Sequence, residues 1–255
     1  MKEKIRNSLN RIFRLFGLEI TAYSQNAFER ARALDRKALD EGSRNFLKLL
    51  ITHGIDLVLD VGANTGDWAK RLFETGYEGR IVSFEPLSLA YEELVKKSKS
   101  NPEWAVAQRC ALGDTNGEAM INIAGNSESS SILPMLKPHI DAAPRAAYVG
   151  SERVKVCRLD TIAPVYLKDS RNPFLKIYVQ GYEKKVLAGA GLILPQIKGL
   201  QLEISLVPLY DGETLFEDML KEIKSLGFEL WRVSPGFYDY RSGRMLQVNC
   251  MFFRA

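Results

Sequence analysis

A glycine-containing turn and two acidic residues form the first group in this sequence that could do chemistry. Asp60 ends an apolar stretch, and Gly62, Asn64 and Gly66 follow it before an amphipathic helical pattern. Such a turn points backbone N–H groups and a helix N-terminus at a ligand that approaches closely, and glycine leaves that ligand room. Glu85 ends the next apolar stretch about twenty residues past the turn, where a carboxylate can accept both hydroxyls of a ribose. The pattern predicts a ligand that contains a nucleoside.

Two better-known ligand loops do not match this turn. The lysine and Ser/Thr pair of a phosphate-binding P-loop is missing, and Gly62-x-x-x-Gly66 lacks the G-x-G-x-x-G spacing of dinucleotide folds. An oxidoreductase with a nicotinamide cofactor is therefore disfavoured. A tight strand-to-helix turn without any ligand remains an alternative, which Glu85 weakens.

A parallel sheet is needed to bring these residues together. From Ile55 onward, "DLVLDVG", "RIVSFEP" and "EWAVAQRCAL" read as strands that alternate with the helical patterns "DWAKRLFETG" and "SLAYEELVKKSKS". Short connections between them predict an α/β fold, a Rossmann-like sheet with helices on both faces. "FLKIYV", "GLQLEI", "FELWRV" and "VNCMFFRA" bring the count to seven strands, and the last two, joined without a helix, should be antiparallel.

Two regions depart from this alternation. Between Gly113 and Ile162, "EAMINIA" and "ERVKVCRL" alternate by twos, which predicts an inserted β-hairpin with a long mobile loop from Asn126 to Gly150. Residues 1–53 are predicted to form an N-terminal helical extension, and residues 54–255 the main domain. Within residues 1–20, basic and apolar side chains recur at helical spacing. This helix either lies on an anionic membrane surface or packs on the domain or on a partner subunit in a homo-oligomer.

Composition excludes several classes of protein. The net charge of +4 is too mild to indicate nucleic acid, and no basic and aromatic interleaving marks a strand-binding groove. Three separated cysteines, Cys110, Cys157 and Cys250, fit neither a disulfide framework nor a zinc site and suggest a reducing compartment. The apolar runs are too short to cross a bilayer, and no cleavage site of a secretory signal is apparent.

Six segments in order resemble the FkbM family of S-adenosylmethionine-dependent O-methyltransferases. They are "LDVGANTGDWA", "IVSFEP", "ALGD", "RLDTI", "LKIYVQGYE" and "LQLEIS". The resemblance implies the seven-stranded methyltransferase version of the Rossmann fold, S-adenosyl-L-methionine as cofactor, and a hydroxyl acceptor, often on a sugar or a polyketide-type product. Asp60, Gly62, Ala63, Asn64 and Gly66 would line the methionine and sulfonium end, Glu85 would hold the ribose, and Ala111 with Asp114 would lie near the adenine.

The acceptor side of the resemblance is less regular. Ser130 and Ser131 of "SSSIL" resemble a family feature near the acceptor, and Gln180 matches the family pattern. The family has Asp where this chain has Tyr178, at the exit of a strand that faces the methyl donor. A tyrosine with a pKa near 10 is a poor base at neutral pH and occupies more volume than aspartate. Three interpretations of Tyr178 follow. It inactivates the protein, it shapes the pocket while another residue is the base, or its phenol itself acts in catalysis.

Few other residues could serve as the base. Asp160 and Glu203 match acidic family positions and are expected to converge beside Tyr178, with capping and pairing to Lys176 as their structural alternatives. His139 lies on the predicted loop and could touch the acceptor. No spacing of carboxylates and imidazoles indicates a metal site.

The sequence therefore predicts a cytoplasmic O-methyltransferase that acts on a hydroxyl, with a saccharide or glycan precursor suggested by the resemblance alone. The alternative is a protein that binds the donor, has lost turnover because of Tyr178, and serves as a regulatory or scaffold subunit.

Overall fold

A computed structural model describes residues 41–254. Its contacts separate residues 1–45 from a compact unit over residues 46–255. The predicted amphipathic helix in residues 1–20 and most of the predicted extension lie outside the described residues. The described part opens in a helix that runs to residue 52. Within residues 41–254, no helix is long and apolar enough to cross a membrane.

Ten strands form two sheets. The strands are β1 (Leu57–Val61), β2 (Arg80–Phe84), β3 (Trp104–Val106), β4 (Ala111–Leu112), β5 (Gly117–Ala124), β6 (Tyr148–Cys157), β7 (Pro173–Ile177), β8 (Gly199–Ser205), β9 (Glu229–Pro235) and β10 (Gln247–Phe253). The helices are Asp67–Thr75, Ser88–Ser98, Lys137–Ala142, Leu159–Ile162, Pro164–Leu167, Glu183–Ala188 and Phe216–Ser225, with 3-10 turns at Pro144–Ala146 and Leu194–Gln196.

The main sheet has seven strands in the order β3-β2-β1-β7-β8-β10-β9. The pairs β1–β2, β1–β7, β2–β3 and β7–β8 are parallel, and β10 runs antiparallel to both β8 and β9. The prediction of seven strands with an antiparallel last pair is confirmed. Because the parallel strands share their direction, their carboxyl ends meet at one edge of the sheet, where α/β proteins bind ligands.

Helices cover both faces of the sheet, as predicted. Every residue of β1 and β7 is buried, which is the continuous pattern of strands covered on two sides. Val58 and Phe174 point to the face covered by helix Asp67–Thr75, where Phe46 and Leu50 also pack. Leu59 and Leu175 point to the other face, covered by helices Glu183–Ala188 and Phe216–Ser225.

The insertion differs from the sequence prediction in two ways. "EWAVAQRCAL" is not one strand: β3 ends at Val106, and β4 leaves the main sheet to pair with β6 beside β5. Arg109 lies within the break between these strands, and its guanidinium pairs with Glu152 of β6. The connection between β5 and β6, expected as a long mobile loop, instead contains helix Lys137–Ala142 and a 3-10 turn.

Candidate functional site

A cleft opens at the carboxyl edge of β1 and β2 and extends to the small sheet. It holds about 580 Å³ of space, part of it open to solvent. Residues that were predicted to bind the cofactor or acceptor line it, namely Gly62, Asn64, Glu85, Ala111, Ser130 and Ser131. Tyr178 lines it as well. The sheet edge thus brings together residues that are far apart in the sequence.

The glycine turn has a different physical cause from the one we expected. Gly62 and Gly66 have φ angles of 74° and 83°, which favour glycine. A Cβ on Gly62 would lie 1.8 Å from the backbone oxygen of Tyr178, and one on Gly66 would lie 2.7 Å from the Leu94 side chain. Protein packing, and not the space of a ligand, therefore demands glycine at both positions. Gly66 is absent from the cleft lining, and Ala63 is buried in the core.

Glu85 is the acidic side chain best placed to hold a ligand. Its two carboxylate oxygens accept hydrogen bonds from the backbone N–H groups of Asn64 at 2.8 Å and Leu87 at 2.9 Å. Each oxygen retains a second lone pair for a ligand hydroxyl. Burial raises the pKa of Glu85 to about 7, although these two hydrogen bonds oppose that shift. The carboxylate joins the glycine turn to the end of β2 and faces the cleft.

Asp60 does not face the cleft. Its side chain is fully buried, and its oxygens accept hydrogen bonds from the Lys176 ammonium at 2.6 Å and the Ser83 hydroxyl at 2.9 Å. Trp104 donates in turn to Ser83 at 3.0 Å. This network ties β1 to β2 and β7 beneath the turn. The structure therefore gives Asp60 a supporting position and does not bring it to the predicted methionine end.

The predicted adenine region is only partly assembled. Ala111 lines the cleft beside apolar neighbours that include Leu87, Leu112 and Ile121. An apolar slot of this kind suits a planar base. Asp114 instead forms an ion pair with Lys185 at 2.7 Å and is not part of the lining.

The serine segment, residues 127–131, borders the cleft next to the glycine turn. The Asn64 side chain donates to the Ser127 hydroxyl at 2.9 Å, and Ser130 is held by the backbone of the same segment. The Ser131 hydroxyl donates to the backbone oxygen of Gln180 at 2.7 Å. Ser127 and Glu128 also line the cleft. The sequence reasoning did not single out these two residues, although they directly precede the serines that it named.

Tyr178 is anchored by its hydroxyl. The phenol donates to Asn249 Oδ1 of β10 at 2.6 Å and accepts from Gln201 Nε2 of β8 at 2.8 Å. The Lys176 ammonium lies 4.4 Å from the ring centroid. Burial raises the pKa of the phenol well above its ordinary value, so the hydroxyl is neutral at physiological pH. Tyr178 lines the cleft, and its neutral phenol is a poor candidate for a base.

The sequence did not lead us to the hydrogen-bond partners of Tyr178, although it contains a pattern that indicates them. Gln201 and Asn249 are polar residues inside the apolar runs "GLQLEIS" and "QVNCMFF". Polar side chains in a buried strand need a partner, and the phenol is that partner for both. Gln201 Oε1 is left without one among the described residues.

The two proposed bases do not converge. Asp160 accepts hydrogen bonds from Arg158 at 2.6 Å and from the backbone N–H of Leu192 at 2.9 Å, and neither of these partners lines the cleft. Glu203 lies near the end of β8, close to Tyr178 and Glu128, and accepts a hydrogen bond from Gln180 at 3.0 Å. Neither acid lines the cleft, and of the two only Glu203 is close to residues that do.

His139 is buried away from the cleft. Its ring packs against Phe237 and Tyr210, with centroids 4.9 Å and 5.2 Å away. Burial lowers its pKa to about 4, so the imidazole is neutral at physiological pH. Gln180 is likewise absent from the lining. In the described part of the chain, no group of three His, Cys, Asp or Glu side chains could hold a metal ion.

The fold and the cleft define a class of protein. Counted in chain order within the main sheet, the strands follow 3-2-1-4-5-7-6 with one reversed strand, and a glycine turn and an acid for a nucleoside lie at the carboxyl edge. This is the Rossmann-like arrangement expected of a methyltransferase. A profile of the methyltransferase FkbM domain matches residues 60–230. The chain belongs to the FkbM methyltransferase family, and S-adenosyl-L-methionine is the cofactor that the sequence predicts.

Solved structures of similar shape include other methyltransferases. A methyltransferase FkbM from Methylobacillus flagellatus KT is 15% identical with a TM-score of 0.46, covering 78% of this chain. This chain spans only 43% of that protein. Magnesium protoporphyrin IX methyltransferase from Synechocystis PCC 6803 with bound SAH is 12% identical, with a TM-score of 0.48 and full coverage of both chains. No curated protein matches the sequence significantly.

The cleft residues fit the cofactor. A buried carboxylate, Glu85, suits a ribose diol, and the apolar slot around Ala111 suits an adenine. When bound, S-adenosylmethionine supplies a methyl group activated by a sulfonium. The protein must then hold an acceptor atom in line with that methyl group and exclude water from it.

Proposed function

We propose that this protein methylates a hydroxyl group of a saccharide or glycan precursor, with Glu203 as the general base. The observation that carries this proposal is the position of the Glu203 carboxylate, which lies close to Tyr178 of the cleft lining. An alcohol must lose its proton as it is methylated, whereas a neutral amine already presents a lone pair. A positioned base contributes about two to four orders of magnitude to such a reaction.

The geometry of Glu203 suits this role. The Gln180 amide donates a hydrogen bond to one carboxylate oxygen of Glu203, Oε2. No other hydrogen bond to this carboxylate is found in the described part of the chain. The second oxygen is thus available to an acceptor hydroxyl. Burial raises the pKa of Glu203, while the Gln180 hydrogen bond and the Lys176 charge oppose that rise. Such a carboxylate is more basic than an exposed one.

The charge of the cleft supports a neutral, polyhydroxylated acceptor. Of the charged side chains that line it among the described residues, Glu85 and Glu128 are acidic and none is basic. A phosphate-bearing acceptor would be repelled by this lining. Sugar hydroxyls can donate to these carboxylates and to the remaining lone pairs of the Ser130 and Ser131 hydroxyls, whose own protons bind the backbone.

The alternative without turnover is not favoured. Its motive was that the Tyr178 phenol would block the acceptor, but the hydroxyl is held by Gln201 and Asn249, and the cleft beside the ring remains open. Tyr178 therefore fits the interpretation of a residue that shapes the pocket. We also place the protein in the cytoplasm, since Cys110, Cys157 and Cys250 are free thiols, as a reducing compartment would keep them.

The test is transfer of a labelled methyl group to a panel of acceptors. We expect label in neutral saccharides, in an ether that resists alkali, and none in sugar phosphates or primary amines. Glu203→Gln should lower the rate by about two to four orders of magnitude without changing donor affinity. Labelling of amines in preference to hydroxyls would refute the proposal.

Asp160→Asn is the matched control, because Asp160 is also a buried acid that resembles a family position. Its contacts hold a turn outside the cleft, so this variant should lower stability and leave the pH dependence of the rate unchanged. A loss of turnover confined to Asp160→Asn would move the base to that residue.

A further inference from the structure

Gln180 adopts a backbone conformation that residues other than glycine rarely take. Its φ angle is 56°, in the left-handed region that disfavours side chains with a Cβ. Residues held in such conformations are strained and concentrate at functional sites. Glu183 holds the turn by accepting hydrogen bonds from the N–H groups of Val179 and Gly181. The fold thus maintains the strain with a dedicated side chain.

The side chain of Gln180 joins three segments of the acceptor side. Its Nε2 donates to Glu203 of β8 at 3.0 Å, and its Oε1 accepts from the Tyr210 hydroxyl at 2.8 Å. Its backbone oxygen accepts from Ser131 at 2.7 Å. Because an ionised carboxylate can only accept, Glu203 fixes the amide with Nε2 toward it. Oε1 is then left to the Tyr210 hydroxyl, for whose single proton the Ser129 backbone oxygen at 3.0 Å also competes. The left-handed turn directs this amide at Glu203.

We propose that Gln180 is a positioning residue that orients the Glu203 carboxylate and keeps it ionised for the acceptor hydroxyl. The inference rests on the function proposed above and assigns Gln180 a role other than the contact with the acceptor expected from the sequence. Its amide holds Oε2, which leaves Oε1 to face the acceptor. Tyr210 and Ser131 keep the amide in place from the other side.

The charges around Glu203 explain why this hydrogen bond matters. Lys176 on β7 is the cation that faces the carboxylate and lowers its pKa, while Glu128 from the serine segment and Glu213 from the segment after β8 raise it. Glu183 and the neutral phenols of Tyr178 and Tyr210 are also close enough to interact with it. Two acids and burial thus oppose ionisation, and Lys176 and the Gln180 amide favour it. Removing the amide shifts that balance toward the protonated, inactive form.

Gln180→Met tests this role because methionine has nearly the same shape and no donor. In the protein without cofactor, we expect the proton affinity of Glu203, followed by carboxyl ¹³C NMR, to rise roughly tenfold, the scale of a hydrogen bond to a charged group. The rising limb of the pH–rate profile should move to higher pH by the same factor. Donor affinity should stay unchanged, since Gln180 lies outside the cleft lining.

Tyr210→Phe is the matched control. It removes the hydroxyl that binds Gln180 Oε1 and leaves the amide donor to Glu203 intact. The proton affinity of Glu203 should then change by less than twofold. Equal shifts in both variants would mean that the amide hydrogen bond to Glu203 is not the cause of the change in proton affinity, and would overturn the inference.

A second substitution covers the case in which Gln180→Met does not fold. Gln180→Asn keeps an amide and tolerates the left-handed turn, but it is too short to reach Glu203, so the same shift is expected. An unchanged NMR titration in both variants refutes the positioning role. Absence of methyl transfer by the unaltered protein would instead count against the proposed function, because the titration needs neither cofactor nor acceptor.

Discussion

At the scale of single residues, Glu85 connects protonation to binding. Its pKa is raised by burial to about 7 from an ordinary value of 4.5. Burial therefore favours the neutral acid, and the folded state loses stability as the pH rises through about 7 and the carboxylate ionises. A bound ribose diol reverses this preference, because its hydroxyls donate to the ionised form. Donor binding and ionisation of Glu85 should strengthen one another.

We therefore expect donor affinity to increase from pH 6 to pH 7 and to level off above about pH 8. Calorimetric titrations across this range measure the dependence. Glu85→Gln should remove this pH dependence of the donor affinity. Glu183 serves as the comparison, because burial raises its pKa to about 8 but it lies outside the cleft lining. Glu85→Ala should weaken binding at least tenfold, since hydrogen bonds to a charged group contribute roughly 1.5–3 kcal/mol. A pH dependence that survives in Glu85→Gln would exclude this residue.

Tyr178 gives a second prediction at this scale. Tyr178→Phe removes the hydroxyl and leaves Gln201 and Asn249 without their partner, which should lower stability by about 1–3 kcal/mol. The wall of the cleft stays in place, so methyl transfer should change by less than tenfold. Urea unfolding and the labelled-methyl assay give the two readouts. A loss of transfer of a hundredfold or more would show that the phenol oxygen itself acts.

At the scale of elements, the central strands β1 and β7 are joined by an ion pair between side chains as well as by their backbone hydrogen bonds. Lys176 of β7 and Asp60 of β1 are adjacent in the sheet register, and their side chains are 3% and 0% exposed. The Lys176 ammonium also lies 4.8 Å from the Trp68 ring, on the helix that follows the glycine turn. The pair thus fixes the strand ends, the turn and this helix relative to one another.

Breaking this pair should be costly. Lys176→Met leaves a buried carboxylate uncompensated and should lower the free energy of unfolding by about 3–5 kcal/mol, measured by urea denaturation. The double variant Asp60→Asn with Lys176→Met removes both charges and should recover much of that loss. If Lys176→Met alone lowers the free energy of unfolding by less than about 1 kcal/mol, another group must compensate the Asp60 charge.

At the scale of the whole molecule, the residues that form the cleft all lie between Val61 and Tyr182. The basic amphipathic pattern of residues 1–20 is outside the described part, and its interpretations as a membrane-surface helix or as a packing element stay open. On either interpretation, we expect this segment to take no part in donor binding.

Deletion of residues 1–20 should accordingly leave donor affinity unchanged within about twofold, as measured by calorimetry. Sedimentation with anionic liposomes then separates the two interpretations. Sedimentation of the full chain that the deletion abolishes would establish membrane binding, whereas equal behaviour of both proteins would favour packing on the domain or on a partner subunit. A large loss of donor affinity would contradict the separation from the cleft.

The sequence by itself predicted the alternation of strands and helices in the main sheet and part of the cleft lining, including Gly62, Asn64, Glu85 and Ala111. Continuous apolar runs such as β1 and β7 can only be strands covered on both faces, and short connections between strands and helices require a parallel sheet. The carboxyl ends of parallel strands then place Gly62 and Glu85 at one edge. These conclusions needed only local patterns and the geometry of the chain.

Other assignments depended on contacts between distant segments. Gly62 is required because the Tyr178 backbone crosses it, Asp60 turns to Lys176, and Asp160 binds a turn near Leu192. The tertiary structure also decided that the Tyr178 phenol reaches Gln201 and Asn249 and that Gln180 meets Glu203. Sequence spacing shows which residues are polar or acidic, but a side chain's partner depends on which strands become neighbours and which way each side chain points, and those are set only when the sheet assembles.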